Sequence, residues 1–130
     1  MYEHGVAHMD LKPHNIVIPL EEGRLSIIDF STSIHVRSPS TMYKGVVGTK
    51  DYMTPEVHQG QYKPILANLW SCGKMLEELS SGCCSSADHV ALLQISRELM
   101  NEELEACPRI STVLEWMASL TRQGDDIVSL

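Results

Sequence analysis

Asp10, Lys12 and Asn15 share the short segment "HMDLKPHN", and a second carboxylate, Asp29, closes the apolar run "RLSIIDF". Two carboxylates and an amide oxygen are hard donors of the kind Mg²⁺ takes, with water and phosphate completing its shell. Lys12 adds a positive charge where negative charge develops as a phosphoryl group moves. The set suits phosphoryl transfer: one carboxylate orients an attacking hydroxyl, while the other and the amide hold metal on a nucleotide. A lone Asp or Lys on a loop is usually just solvated. The chemistry therefore depends on elements that bring these side chains together.

"NIVIPL" and "RLSIIDF" are β-branched runs around "EEG", which predicts a hairpin with Gly23 at its turn. The stretch "STSIHVRSPSTMYKGVVGTKDY" is rich in Ser, Thr and Gly and reads as a long surface loop rather than a third element. Pro55 suits the start of a brief helix. From Ile65 to Ser80, apolar residues recur at intervals of three and four (Ile65, Leu66, Leu69, Trp70, Met75, Leu76, Leu79), which predicts a central helix with this stripe in the core. "ADHVALLQISRELMN" repeats the period through Val90, Leu93, Ile95 and Leu99. A last helix is expected over "ISTVLEWMASL", with Trp116 in the core, followed by a frayed tail.

With 130 residues the chain can build one modest core. A net charge of −7 without a basic stripe argues against nucleic acid, which requires clustered Lys and Arg. Any anionic ligand must be held locally. Cys72, Cys83, Cys84 and Cys107 lack zinc spacing and read as buried or incidental thiols. His4, His14, His35, His58 and His89 show no spacing of a metal site and read as surface. No signal peptide opens the chain and no apolar run approaches a membrane span, so no membrane partner is expected and the setting is intracellular, cytoplasmic or nuclear.

The residues carry a resemblance to eukaryotic protein kinases. "HMDLKPHN" resembles the catalytic loop H-R-D-L-K-x-x-N, and "IIDFS" occupies the place of D-F-G. "GTKDYMTPE" resembles the close of the activation segment, "NLWSCG" the D-x-W-S-x-G of the central helix, and "CPRIS" the arginine motif before the last helix. The motifs stand in the family's order from about His4 to about Leu120. The resemblance implies an α+β fold: a mostly helical kinase C-lobe with a small β-hairpin, spanning residues 1–122, with a tail at 123–130 and the N-terminal lobe absent. It implies Asp10 as catalytic base, Lys12 on the transferred phosphate of ATP, Thr49 supporting Lys12, and Asn15 and Asp29 as Mg²⁺ ligands. It implies structural roles for His8, Phe30, Asn68 and Trp70, and a buried ion pair between Glu56 and Arg109. Lys12, two positions after Asp10, is the serine/threonine form of the loop.

Several positions depart from the family's pattern. Met9 stands where most members carry the Arg that pairs with a phosphorylated activation loop, and Ser31 replaces the glycine of D-F-G, limiting backbone freedom without removing a ligand. Asn68 replaces an aspartate, so the catalytic loop is expected to be less rigid than in an ordinary kinase; Thr54 replaces alanine. Only nine residues precede Asp10, so the Gly-rich loop, the strand lysine and its glutamate partner are not in this chain, and it alone is expected to hold ATP weakly. Two functions are expected from the resemblance: the C-lobe of a serine/threonine kinase acting on protein substrates, or a pseudokinase-like module that docks a protein partner.

Overall fold

The computed structural model describes residues 2–82 and 86–101, together with positions 112 and 115. A single 3₁₀ turn, Tyr2–His4, leads into strand β1 (Val6–Ala7). A second, Pro13–Asn15, begins with a proline whose missing N–H costs nothing at a helix start, and it delivers the chain to β2 (Ile16–Val17).

The predicted hairpin is present. Strand β2 pairs antiparallel with β3 (Ser26–Ile27), Ile16 opposite Ile27 and Val17 opposite Ser26. The Ile28 N–H extends the ladder to the Asn15 carbonyl at 2.9 Å. Pro19, two residues beyond Val17, has no N–H to add to the ladder.

The long segment after Asp29 is not a featureless loop. Ile34–His35 forms β4, antiparallel to β1, and Tyr43–Lys44 forms β5, antiparallel to β6 (Gln61–Tyr62). Two-residue strands are too short to display an alternating pattern, so their partners rather than their own sequence define them. Pro55 opens α1 (Pro55–His58), as predicted.

Helix α2 (Pro64–Ser80) is the central element and α3 (Ser86–Leu99) packs along it. One core cluster gathers Ala7, Met9, Val36, Val57, Tyr62 and Ala67; a second joins Leu69 to Ile95 and Leu99. Helix α2 contributes to both, and this changes which of its side chains are deepest. Ala67, Asn68, Leu69, Ser71, Gly73 and Ser80 are buried, whereas Trp70 is half-buried and Leu79 is exposed. Val90 on α3 is likewise exposed. A helix flanked by neighbours on more than one side buries its small and polar residues at the close approaches, which a purely apolar stripe does not capture. Of the expected last helix only Thr112 and Glu115 are described, both helical; its other residues, Trp116 among them, and Cys83, Cys84, Cys107 and the boundary after residue 122 lie outside the described residues. Among the described residues, no helix is long and apolar enough to cross a membrane.

Helices α2 and α3 approach each other closely at Gly73. A Cβ there would stand 2.8 Å from the Ser96 carbonyl oxygen and 3.0 Å from the Leu99 Cβ. The Ser96 hydroxyl uses the same contact, donating to the Gly73 carbonyl at 2.8 Å. Gly73→Ala gains about 1 kcal/mol of helix propensity but overpacks backbone, at about 1–3 kcal/mol. The expected outcome is net destabilisation, read as a lower urea midpoint with an unchanged slope.

Candidate active site

The site begins at an unusual stretch of backbone. After β1, Met9 takes a left-handed conformation, φ 68°, with its side chain buried in the first core cluster. Its N–H donates to Asn68 Oδ1 on α2 at 2.9 Å. The next N–H, that of Asp10, turns back onto His8 Nδ1 at 3.2 Å. Because Nδ1 accepts, the His8 proton sits on Nε2, which donates to the Ile28 carbonyl at 2.9 Å. The ring also meets Phe30 edge-on, centroids 4.8 Å apart. His8 thus couples the segment carrying Asp10 to the one carrying Asp29, which is itself left-handed at φ 60°.

Asp10, Lys12 and Thr49 form a closed triangle. The Thr49 hydroxyl donates to Asp10 Oδ1 at 2.5 Å and accepts from Lys12 Nζ at 2.8 Å, while Nζ lies 3.0 Å from Asp10 Oδ2. Thr49 precedes the 3₁₀ turn Lys50–Tyr52 at the position where a threonine hydroxyl usually caps, yet its hydroxyl is spent on Asp10 instead. Gly48 lets the segment come this close: its φ is +109°, and a Cβ there would be 2.6 Å from the Met9 carbonyl oxygen. Burial pushes the Asp10 carboxyl up, but the Thr49 hydroxyl, Lys12 and Asn15 together hold it below the usual 3.8.

Asn15 is buried and commits its Nδ2 to Asp10, donating to the carbonyl at 2.8 Å and to Oδ2 at 3.3 Å. That orientation leaves Asn15 Oδ1 as the atom able to face a cation. Asp29 is exposed, and the Ser31 hydroxyl and then its N–H, at 2.6 and 3.3 Å, hold its carboxyl below the ordinary value. Both bonds fall on Oδ1, so Oδ2 is the oxygen available to a metal. Among the described residues no three His, Cys, Asp or Glu side chains form a cage. One amide oxygen and one carboxylate fit Mg²⁺, which retains waters and shares phosphate oxygens rather than filling an all-protein shell.

The sequence-derived residues Asp10, Lys12, Asn15 and Thr49 are therefore in direct contact, His8 and Phe30 touch, and Asn68 lies beneath them. Trp70 is half-buried on α2. Glu56 accepts the hydroxyl of buried Thr54, while Arg109, its expected partner, lies outside the described residues. Ser31 was read for its backbone alone; its hydroxyl on Asp29 was missed, although a serine two residues after an aspartate is a recognisable turn signal. Ser71, whose hydroxyl donates to the Tyr52 carbonyl at 2.6 Å, was also missed, and nothing in its local sequence points to that partner.

Residues 1–127 match the protein kinase domain family. The chain belongs to the protein kinase family. It is 34% identical over 131 residues to calcium-dependent protein kinase 9 of Oryza sativa subsp. japonica, an alignment covering 97% of this chain and 22% of the relative. It is 41% identical over 83 residues to the mitochondrial serine/threonine-protein kinase ppk24 of Schizosaccharomyces pombe, covering 59% of this chain and 18% of the relative. Aurora kinase B of Mus musculus is 39% identical over 77 residues, 59% of this chain and 21% of its own length. The chain spans about a fifth of the length of these curated relatives.

Thr49→Val removes the bridging hydroxyl at nearly constant volume. The Asp10 carboxyl should then titrate at higher pH in a carbon-detected NMR titration. A carboxyl depressed in the folded state stabilises the fold above 3.8, and that contribution is lost as pH falls through the lower folded value. The variant should therefore lose about 1 kcal/mol at pH 7, with the difference from the parent shrinking as the pH drops below the carboxylate range.

Proposed function

We propose that this chain is the catalytic C-terminal lobe of a serine/threonine protein kinase, working together with a nucleotide-binding lobe. The observation that carries the reading is the Asp10–Thr49–Lys12 triangle, which presents a charged carboxylate and an ammonium side by side with a threonine hydroxyl joining them. ATP bound with Mg²⁺ supplies the phosphoryl group. Asp10 orients a protein Ser or Thr hydroxyl and takes its proton as the hydroxyl oxygen bonds the γ-phosphorus and the bond to the ADP oxygen breaks. Lys12 balances the negative charge on the transferred group. Asn15 Oδ1 and Asp29 Oδ2 would hold Mg²⁺, which would neutralise charge on the nucleotide's phosphates.

The hairpin supports the placement of a second lobe. Val17, Ile18, Leu20, Leu25, Ile28 and Phe30 are exposed along it, more apolar surface than a hairpin in water needs. Asn15 and Asp29 flank the same strands, so a lobe covering this face would close over the metal ligands.

One observation favours the second reading, a protein-docking module without catalysis. Asn68 is fully buried and its Nδ2 has no hydrogen-bond partner among the described residues. An unsatisfied buried donor costs about 1–3 kcal/mol and weakens the platform under the catalytic loop.

Phosphate transfer to a protein substrate, measured with the complete protein that contains this segment, separates the two. Asp10→Ala should lower transfer by about 10²–10⁴-fold while partner capture from solution is retained. Equal, background-level transfer by parent and variant would instead establish the docking role. Met9 is apolar and buried, so a phosphate on the activation segment has no guanidinium at this position to engage. Thr41→Glu in the complete protein should accordingly leave the transfer rate unchanged.

A further inference from the structure

We propose that the cavity between the Tyr2–His4 turn, β4 and the start of α2 is a phosphate-binding site whose ligand is a phosphomonoester. The cavity is an open cleft of about 460 Å³ lined by Glu3, His4, His35, Arg37 and Ser38, all of them exposed, with Ile65 contributed by α2. Two imidazoles and a guanidinium on one concavity run against the chain's net charge of −7. None of these residues belongs to the Asp10 network, so the inference stands apart from the catalytic reading.

The convergence is a product of the fold. His4 and His35 are thirty-one positions apart and were each read from sequence as surface residues. The antiparallel pairing of β1 with β4 sets Val6 opposite His35, and the Val36 N–H donates to the Gly5 carbonyl at 2.6 Å, which brings the histidine before each of those positions to the same rim. An imidazole offers at least one N–H donor whatever its protonation, and the guanidinium offers a planar fork. The fork takes two oxygens of a phosphate bidentately, and a phosphate has further acceptor oxygens for the imidazole donors, which a carboxylate with two oxygens lacks. Glu3 opposes the anion, and this opposition makes a diagnostic substitution available.

The loop also suggests one source of the ligand. Ser38 is exposed at the cavity's edge, and its carbonyl accepts the Thr41 N–H at 2.9 Å in a turn. Its Oγ is 3.0 Å from Ser40 Oγ and accepts the Ser40 N–H at 3.4 Å. A phosphate carried on Ser38 would stand at the mouth of the cavity. A phosphomonoester from solution would enter the same opening.

The test is an NMR titration of the full chain with inorganic phosphate and with phenyl phosphate at constant ionic strength, observing the His4 and His35 rings. Saturable shifts of both rings are expected. Arg37→Ala should weaken binding by about threefold or more and Glu3→Gln should strengthen it by about twofold, as for partly exposed charges. A semisynthetic chain carrying phosphoserine at position 38 separates the sources. Ring shifts already present there, with added phosphate no longer bound, support the site with Ser38 as donor. Unshifted rings that still respond to added phosphate support the site with a phosphomonoester from elsewhere. The proposal is overturned if neither probe nor phosphoserine shifts the rings, or if affinity is indifferent to both Arg37→Ala and Glu3→Gln.

Discussion

A single buried hydrogen bond, from the Met9 N–H to Asn68 Oδ1, holds the backbone on which the rest of the site depends. Left-handed backbone costs a residue other than glycine about 1–2 kcal/mol, and Met9 offsets this by that bond and by burying its side chain. From this kink the Asp10 N–H is directed back to His8 and the Asp10 carboxylate forward to Thr49. Gly48 packs against the Met9 carbonyl, so the approach of the Thr49 segment is conditional on the same kink. If Met9 relaxed to an ordinary conformation, the acid, the lysine and the threonine would lose their common meeting point.

Helix α2 supplies that bond and several others by the same means. The Ser71 hydroxyl reaches the Tyr52 carbonyl, and Gly73 offers its carbonyl to Ser96. Small and polar residues along α2 allow close approach, and each approach is closed by a hydrogen bond to the neighbouring segment that contributes about 0.5–1.5 kcal/mol. Among the described residues Asn68 is incompletely matched. Its oxygen is used and its amide nitrogen is not. An acceptor suffices at this position for the Met9 N–H, and the second half of the amide is a surplus donor in a dry place.

Much of the architecture was legible in the chain because long regularities are robust. Seventeen residues of α2 carry enough periods to be read, and the β-branched runs on either side of Gly23 fold back as a hairpin. Asp10, Lys12, Asn15 and Thr49, which the structure brings into contact, were singled out through the order of their motifs rather than through local pattern. Strands β4 and β5 were not, since two residues cannot show alternation and their identity comes from β1 and β6, twenty-eight and eighteen positions away. The left-handed Met9 was illegible for a related reason: methionine has no preference for that conformation, and its support comes from Asn68, far along the chain, and from burial of its side chain. Ser31 was half legible, as its position was noticed but not what its hydroxyl does.

The electrostatics of the site limit what it can bind unaided. Lys12 is already engaged by Asp10 and Thr49, so the ammonium is balanced before any phosphate arrives. Asp10 is held ionised, and Asp29 is another carboxylate with a lowered pKa. A nucleotide triphosphate approaching these groups meets more negative charge than positive. On the proposed reading, Asp29 and Asn15 would hold a divalent cation that offsets this repulsion, leaving the Lys12 ammonium to face the transferred phosphoryl group. On that reading the acidic character of the site would make nucleotide binding depend on metal, and that character follows from how Asp10, Lys12 and Thr49 have satisfied one another.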